Sequence, residues 1–392
     1  MSPVKEMFMM PHDFHSYLAQ QQSLLQQQYA LKPVQYLSKS GQLLQTSESA
    51  NDKELLLQGY RWMNLTRAFD QKAVALQRTG IIGTYPSSLG QEAIAVACGM
   101  ALEKDDVFVP YYRDHGTLLV RGHLMEHLLL YWGGDERGSG FTAQNGSAID
   151  MPICVPIATQ ASHAVGIASA LKIQQKPQAV LCTLGDGASS KGDFLEALNL
   201  AGSWHLPVVF VINNNQWAIS VPRHVQSGAP TLAQKGLAAA IPSIQVDGND
   251  FIASYDVISA ALTRARKRKG PMLIEAISYR LSDHTTADDA SRYRAQKEVD
   301  TAWQNEPIKR LQQYIHSQGY WSKDLETHLQ NDCQAQLENA VQAYQNIEAE
   351  QPEAMFDFLY ETWPVNLDDQ VSACSEKFLR NRDLSVINRG DL

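Results

Sequence analysis

Two polar segments at the ends of apolar runs carry the residues best suited to chemistry. The run at 179–184 ends in Gly185-Asp186-Gly187, and the run at 207–212 ends in Asn213-Asn214-Asn215. The glycines let the backbone approach a bound group closely, and Asp186 offers a hard carboxylate oxygen. Asn215 adds a neutral carbonyl. One acid and one amide suit Mg²⁺, which takes oxygen ligands and keeps places for phosphate and water. A single carboxylate also suits a diphosphate, because further acids would repel it. Taken alone, GDG also reads as an ordinary tight turn.

Both segments need a scaffold that sets two strand ends side by side. Five short apolar or β-branched runs offer one: Val107–Val109, 179–184, 207–212, 243–246 and 272–278. Helical stretches at 161–172, 193–204 and 251–269 lie between them. This alternation predicts an α/β fold, a parallel sheet with helices on both faces, and ligands beyond the carboxyl ends of the strands. Upstream, Asn51 or Asp52 caps a helix whose apolar positions are Leu56, Tyr60, Met63 and Phe69, ended by Gly80 and Gly83. An Ala-rich helix at 91–102, containing Gly99, is expected to pack deeply.

The chain divides into an N-terminal arm (1–50), an α/β domain (51–304) and a helical C-terminal tail (305–392). In the arm, QQQSLLQQQ at 20–28 reads as a solvated helix or a loose, partner-embracing segment. Residues 35–44 read as extended chain interrupted by Gly41. Leu311, Tyr314, Leu325 and Leu329 are the tail's packing anchors, with Trp303 just ahead. The run RARKRK at 264–269 ends a helix, where cations meet the carboxyl-end dipole or form a docking patch.

The 392 residues carry 33 basic and 42 acidic side chains, a net charge of −9, with 44% apolar residues. That apolar share is enough for a full core. No apolar run approaches the ~20 residues that span a bilayer, and net acidity argues against generic binding to phosphate backbones. The cysteines, Cys98, Cys154, Cys182, Cys333 and Cys374, are scattered and form no CxxC. A disulfide framework or thiolate zinc site is not expected, and a reducing compartment is. The opening MSPVKEMFMMPHDFH lacks the pattern of a secretory signal, so the cytoplasm is the expected location. GxxxxGK[ST], HExxH and GxGxxG do not occur, which removes kinase-like, zinc-peptidase and simple dinucleotide readings.

GDGASSKGD…INNNQW resembles the thiamine diphosphate motif, in which GDG is followed by NN after a spacing of this size. With VPYYRDHG, PIATQASHAVGIA, NNQWAIS, QVDGND and DHTTADDASRYR in this order, the chain is similar to the α subunits of 2-oxo acid dehydrogenase E1 components over about residues 35–368. The resemblance implies a thiamine diphosphate-binding fold for 51–304, oxidative decarboxylation of a 2-oxo acid, and reductive acylation of the lipoyl group of an E2 acyltransferase. It implies Mg²⁺ on Asp186, the Asn215 side chain and the Trp217 backbone carbonyl. Gly187 and Ala188 are then expected against the diphosphate, with Gly185 beside them, and Tyr112 and Arg113 at its terminal phosphate. Val155 and Ile157 match positions whose backbone meets the aminopyrimidine, Ile157 serving also as an apolar wedge. His284 matches the catalytic histidine that reaches the diphosphate and the reacting centre.

Only the diphosphate half of the cofactor site is recognisable. The resemblance therefore implies a β subunit that brings the pyrimidine half and a glutamate, in an α₂β₂ heterotetramer. GTYPSSLGQEA and TLAQKGLAAAI favour pyruvate; VPYYRDHG, DDASRYR and SQGYW lean towards branched-chain 2-oxo acids. Pro156, Thr159 and Gln160 match a potassium-binding turn of branched-chain relatives, but Cys154 replaces its serine and leaves that ion open. Asn213 stands where some relatives carry a phosphate-contacting arginine, and 138–152 lacks the usual Gly-Arg-Gln-Met-Pro. Thr285 and Thr286 sit in a loop that is phosphorylated in eukaryotic relatives. The competing readings are a transketolase-like carboligase and a non-enzymatic nucleotide-binding or scaffold module.

Overall fold

The computed structural model describes residues 16, 19–20, 32–140, 149–357 and 359–387. Residues 21–28 of the Gln-rich tract and 141–148 of the departing stretch lie outside them. Two compact units are present, Met1–Val341 and Gln342–Leu392.

The first unit opens with an extended segment that bridges Val34 to Val246 in parallel and turns at Gly41 (φ 71°). Helix α1 (Lys53–Arg78) follows, its Asp52 cap accepting the Leu55 N–H at 3.0 Å. Leu56, Tyr60, Met63 and Phe69 are buried as the periodicity predicts. Helix α2 (Glu92–Ala101) buries every residue except Met100. In chain order there follow β1 (Val107–Val109), α3 (His115–Val120), α4 (Met125–Gly133), β2 (Ile149–Asp150), α5 (Thr159–Ile173), β3 (Val180–Gly185), α6 (Gly192–Ser203) and β4 (Val208–Asn214). A hairpin of β5 (Trp217–Ala218) and β6 (Val221–Pro222) leads to β7 (Ser243–Asp247), α7 (Phe251–Arg266) and β8 (Met272–Ile277).

Six strands form one parallel sheet in the order β2-β1-β3-β4-β8-β7. One face packs Val180, Cys182, Leu184, Val208, Phe210 and Ile212 against the small residues of α5 and the apolar side of α6. The other receives α7, which also packs on α2. Both faces are therefore covered, which is why β3 and β4 read as unbroken apolar runs. The run 264–269 ends α7 as expected, and Arg266 there pairs with Asp106.

Contact between α1 and α7 depends on Gly59. A Cβ there would lie 2.3 Å from the Phe251 ring. Gly59→Ala is expected to cost about 1–3 kcal/mol through overpacking, read as a lower urea midpoint with an unchanged slope.

Helices α8 (Gln296–Trp303), α9 (Pro307–Ser317) and α10 (Lys323–Gln345) follow the sheet. Leu311, Tyr314 and Leu329 are buried anchors, whereas Leu325 and Trp303 are exposed. Buried Arg310 holds Asp247 at 2.9 Å and donates to Ser38 O at 3.0 Å, fastening the extended segment beside β7. The second unit contains α11 (Asp368–Ile387) and two short turns, with Trp363 Nε1 donating to Asp368 Oδ1 at 2.7 Å.

Candidate active site

Four strands deliver the site. Beyond β1 stand Tyr112 and Arg113; beyond β3, Gly187 and Ala188 follow Asp186; beyond β4 comes Asn215 and then the hairpin with Trp217; beyond β8 lie Arg280 and His284. Parallel pairing sets Gly185 opposite Asn213, which brings the two polar segments level at the sheet's carboxyl edge. All eleven residues singled out in the sequence line one cavity of about 410 Å³: Tyr112, Arg113, Val155, Ile157, Gly185, Asp186, Gly187, Ala188, Asn215, Trp217 and His284. A larger, open cleft of about 1040 Å³ beside the segment at 32–44 holds none of them.

Asp186 is 2% exposed, and its Oδ2 is buried without a hydrogen-bond partner among the described residues. Burial pushes its carboxyl up to about 6, against the pull of nearby backbone N–H groups and of Arg280 and Arg113. A buried carboxylate oxygen with no partner is costly unless a cation completes it. Among the described residues no group of three or more His, Cys, Asp or Glu converges. The donor set here is one carboxylate with amide and backbone oxygens, which fits Mg²⁺. Because the metal needs the ionised form, affinity should be flat above pH 6 and fall about tenfold per unit below it. Calorimetry at pH 5, 6 and 7.5 checks this; a constant affinity would remove Asp186 from the ligand set.

Asn215 is 4% exposed. Its Nδ2 donates to Gln91 Oε1 at 3.1 Å, and its Oδ1 accepts the Trp217 N–H at 3.2 Å. Gln216 (φ 72°) and Ile219 (φ 55°) both adopt left-handed backbone around Trp217, strain of the kind that collects at functional turns. The Trp217 carbonyl accepts from Arg280 Nη1 at 3.3 Å.

Arg113 is buried and bridges two loops. Nη1 donates to Ser87 O at 2.5 Å, while Nη2 donates to His284 O at 2.7 Å and lies 2.9 Å from His284 Nδ1. A guanidinium has only donors, so Nδ1 accepts and the imidazole proton sits on Nε2. Burial first, then the charges of Arg113 and Arg280, push His284 down to about 3, with Asp288 opposing. His284 is thus neutral near pH 7, with Nε2–H as its donor.

The loop that carries His284 is braced from several sides. Its backbone N–H donates to Asp288 Oδ2 at 2.8 Å, and the Tyr293 hydroxyl donates to the same oxygen. Arg280 Nη2 donates to the Tyr293 hydroxyl at 2.7 Å. Thr286 exchanges two hydrogen bonds with the Tyr85 backbone, at 3.0 and 3.2 Å. Arg280 and Arg294 are buried in this network, whereas Arg292 is exposed.

Asn213 does not line the cavity. Its Nδ2 donates to the Tyr111 hydroxyl at 3.0 Å and its Oδ1 accepts from Ser278 at 2.7 Å. In the turn before α5, Cys154 Sγ donates to Pro156 O at 3.3 Å, and in the first turn of α5 Gln160 Oε1 is buried without a partner among the described residues. Sequence reasoning missed Trp132, from α4, and Gln226, whose Nε2 donates to Asp186 O at 3.1 Å. Neither stands in a motif; their distance from the glycine turn along the chain hides them.

Comparison with known proteins bears on this geometry. A family profile described as "Dehydrogenase E1 component" matches residues 60–353. The chain is 43% identical over 286 residues to "Pyruvate dehydrogenase E1 component subunit alpha" of Acholeplasma laidlawii, covering 73% of this chain and 82% of that protein. It is 43% identical over 300 residues to "3-methyl-2-oxobutanoate dehydrogenase subunit alpha" of Mycobacterium tuberculosis, covering 76% and 80%. To "Pyruvate dehydrogenase E1 component subunit alpha" of Staphylococcus aureus it is 36% identical over 350 residues, covering 88% and 93%.

Proposed function

This chain belongs to the dehydrogenase E1 component family, and from that premise we propose that it is the α subunit of a pyruvate dehydrogenase E1 enzyme. Together with a β subunit, in an α₂β₂ assembly, it decarboxylates pyruvate oxidatively and acylates the lipoyl group of an E2 acyltransferase. The observation that carries the reading is the Asp186 carboxylate, whose Oδ2 has no partner among the described residues, set with Asn215, Arg113 and His284 in one cavity.

In this reading Mg²⁺ is held by Asp186, the Asn215 carbonyl and the Trp217 carbonyl. Tyr112 and Arg113 meet the terminal phosphate, Arg113 through its charge and the N–H groups that Ser87 and His284 leave free. Gly185, Gly187 and Ala188 give the diphosphate close backbone approach, and Val155 and Ile157 face the aminopyrimidine. Bound thiamine diphosphate supplies the carbanion and the electron sink that decarboxylation of a 2-oxo acid requires. His284 presents Nε2–H to the reacting end, oriented by Arg113 from behind. Val155, Ile157 and Trp132 give the cavity an apolar wall, which would exclude water from developing charge once the exposed Val155 and Ile157 are covered by the β subunit.

The family match takes the chain away from the carboligase and scaffold readings. A branched-chain 2-oxo acid is the second substrate reading, because the mycobacterial relative named for 3-methyl-2-oxobutanoate is as similar as the first pyruvate one. Among the described residues no helix is long and apolar enough to cross a membrane, and the five free cysteines suit a reducing cytoplasm. The test is reconstitution with the β subunit and lipoylated E2, with pyruvate and 3-methyl-2-oxobutanoate assayed side by side. Faster turnover of pyruvate is expected. Preference for the branched acid moves the chain to the second reading, and turnover by the isolated chain overturns the shared-site proposal.

A further inference from the structure

We infer that Gln91 is a positioning residue for Mg²⁺: it holds the amide of Asn215 in the orientation that the Trp217 N–H sets, with its carbonyl oxygen presented to the ion. This rests on the metal reading above and adds to it a residue with no contact to metal or cofactor.

Gln91 stands at the head of α2, outside the cavity lining and 1% exposed. Its backbone is fixed independently of its side chain. The Gln91 N–H donates to Ser88 O at 2.9 Å, and the neighbouring Gly90 N–H donates to Glu92 Oε2 at 3.0 Å. The side chain makes one hydrogen bond, accepting from Asn215 Nδ2 at 3.1 Å, while Nε2 is buried with no partner among the described residues. Burying an amide with an unused donor is unfavourable, and a hydrocarbon side chain of this length would avoid the cost. The bond to Asn215 is what the amide gains there.

That bond has a direction. Trp217 N–H donates to Asn215 Oδ1 at 3.2 Å. Were the Asn215 amide flipped, its NH₂ would face the fixed Trp217 N–H, a repulsive contact, and Gln91 would have to turn its own amide over to keep a hydrogen bond. The Trp217 N–H therefore sets the orientation, and Gln91 holds the amide in it from the opposite side. A carbonyl oxygen has two lone pairs; Trp217 takes one and leaves the other for a cation. Without Gln91 the amide keeps one of its two restraints, and its nitrogen loses its buried partner.

The experiment compares Gln91→Met, which keeps length and removes the acceptor, with Gln91→Glu, which keeps an acceptor oxygen in either protonation state. In the reconstituted α₂β₂ enzyme, Mg²⁺ is titrated at fixed thiamine diphosphate and followed by tryptophan fluorescence, since Trp132 and Trp217 line the cavity. Gln91→Met should weaken Mg²⁺ ten- to a hundredfold, the range for residues that orient a metal ligand. Its cofactor affinity at saturating Mg²⁺ and its unfolding midpoint should match the parent. Gln91→Glu should bind Mg²⁺ at least within threefold of the parent.

The inference is overturned if Gln91→Met binds Mg²⁺ within threefold of the parent, or if Gln91→Glu is as weak as Gln91→Met. Loss of cofactor affinity that persists at saturating Mg²⁺ marks a general structural defect and overturns it too. Asp186→Asn separates the two levels. If that variant binds Mg²⁺ normally, the metal reading itself fails. If it loses Mg²⁺ while Gln91→Met retains it, only the role of Gln91 falls.

Discussion

Asp186→Asn should lower Mg²⁺-dependent affinity for thiamine diphosphate at least a hundredfold, yet make the cofactor-free chain more stable. Both effects come from one oxygen. The ionised carboxylate is 2% exposed, with Oδ2 unpartnered, and its pKa is raised from 3.8 to about 6. A raised acid pKa means that the folded state prefers the protonated form. The cost of holding the charge is absent below about pH 4 and fully felt above pH 6. The amide removes that cost, so its advantage should grow between those limits to about 2–3 kcal/mol at neutral pH. Denaturant unfolding at pH 4 and 7.5 reads the difference. With the cofactor present, Mg²⁺ should raise the melting temperature of the parent and leave the variant unmoved. An unchanged affinity by calorimetry removes the metal site from the molecule.

Arg113→Met should be nearly as damaging by another route. The guanidinium joins Ser87 O to both His284 O and His284 Nδ1, so its loss takes a donor from two carbonyls and leaves the imidazole nitrogen only the longer contact to Arg280. Cofactor affinity should fall about a hundredfold, equivalent to ~2.7 kcal/mol. Arg113→Lys keeps the charge but has no fork to reach both loops, and should recover little. The His284 pKa should rise from about 3, because a neighbouring positive charge has gone, but stay below 6.5 because burial is its larger cause. The imidazole Cε1–H resonance followed through pH reports this. A histidine that titrates unchanged in Arg113→Met contradicts the contact.

The sequence made the site legible where chemistry and position coincide. Asp186 and Asn215 close apolar runs, and in a parallel sheet those ends must gather at one edge. Strand limits moved by one or two residues, enough to place Gly185, Asn213 and Asn214 inside β3 and β4. β2 escaped notice because two residues carry no period, and α3 and α4 because they are short and flanked by polar turns. Side chains whose environment is set by distant segments were the least readable. Arg280 and Arg294 are buried although the polar sequence around them gives no sign of it, and Leu325, read as an anchor, is exposed. Gln91 looks like any polar helix start until Asn215, brought in by the sheet, gives its amide a purpose.

The cavity draws on the ends of β1, β3, β4 and β8, and β8 begins only at Met272. A growing polypeptide therefore has no complete cradle until synthesis has entered roughly its last third. Pairings this remote along the chain form slowly. Capture of the coenzyme is thus a late milestone of maturation, and a chain that stalls on the ribosome short of His284 has no means of engaging it fully.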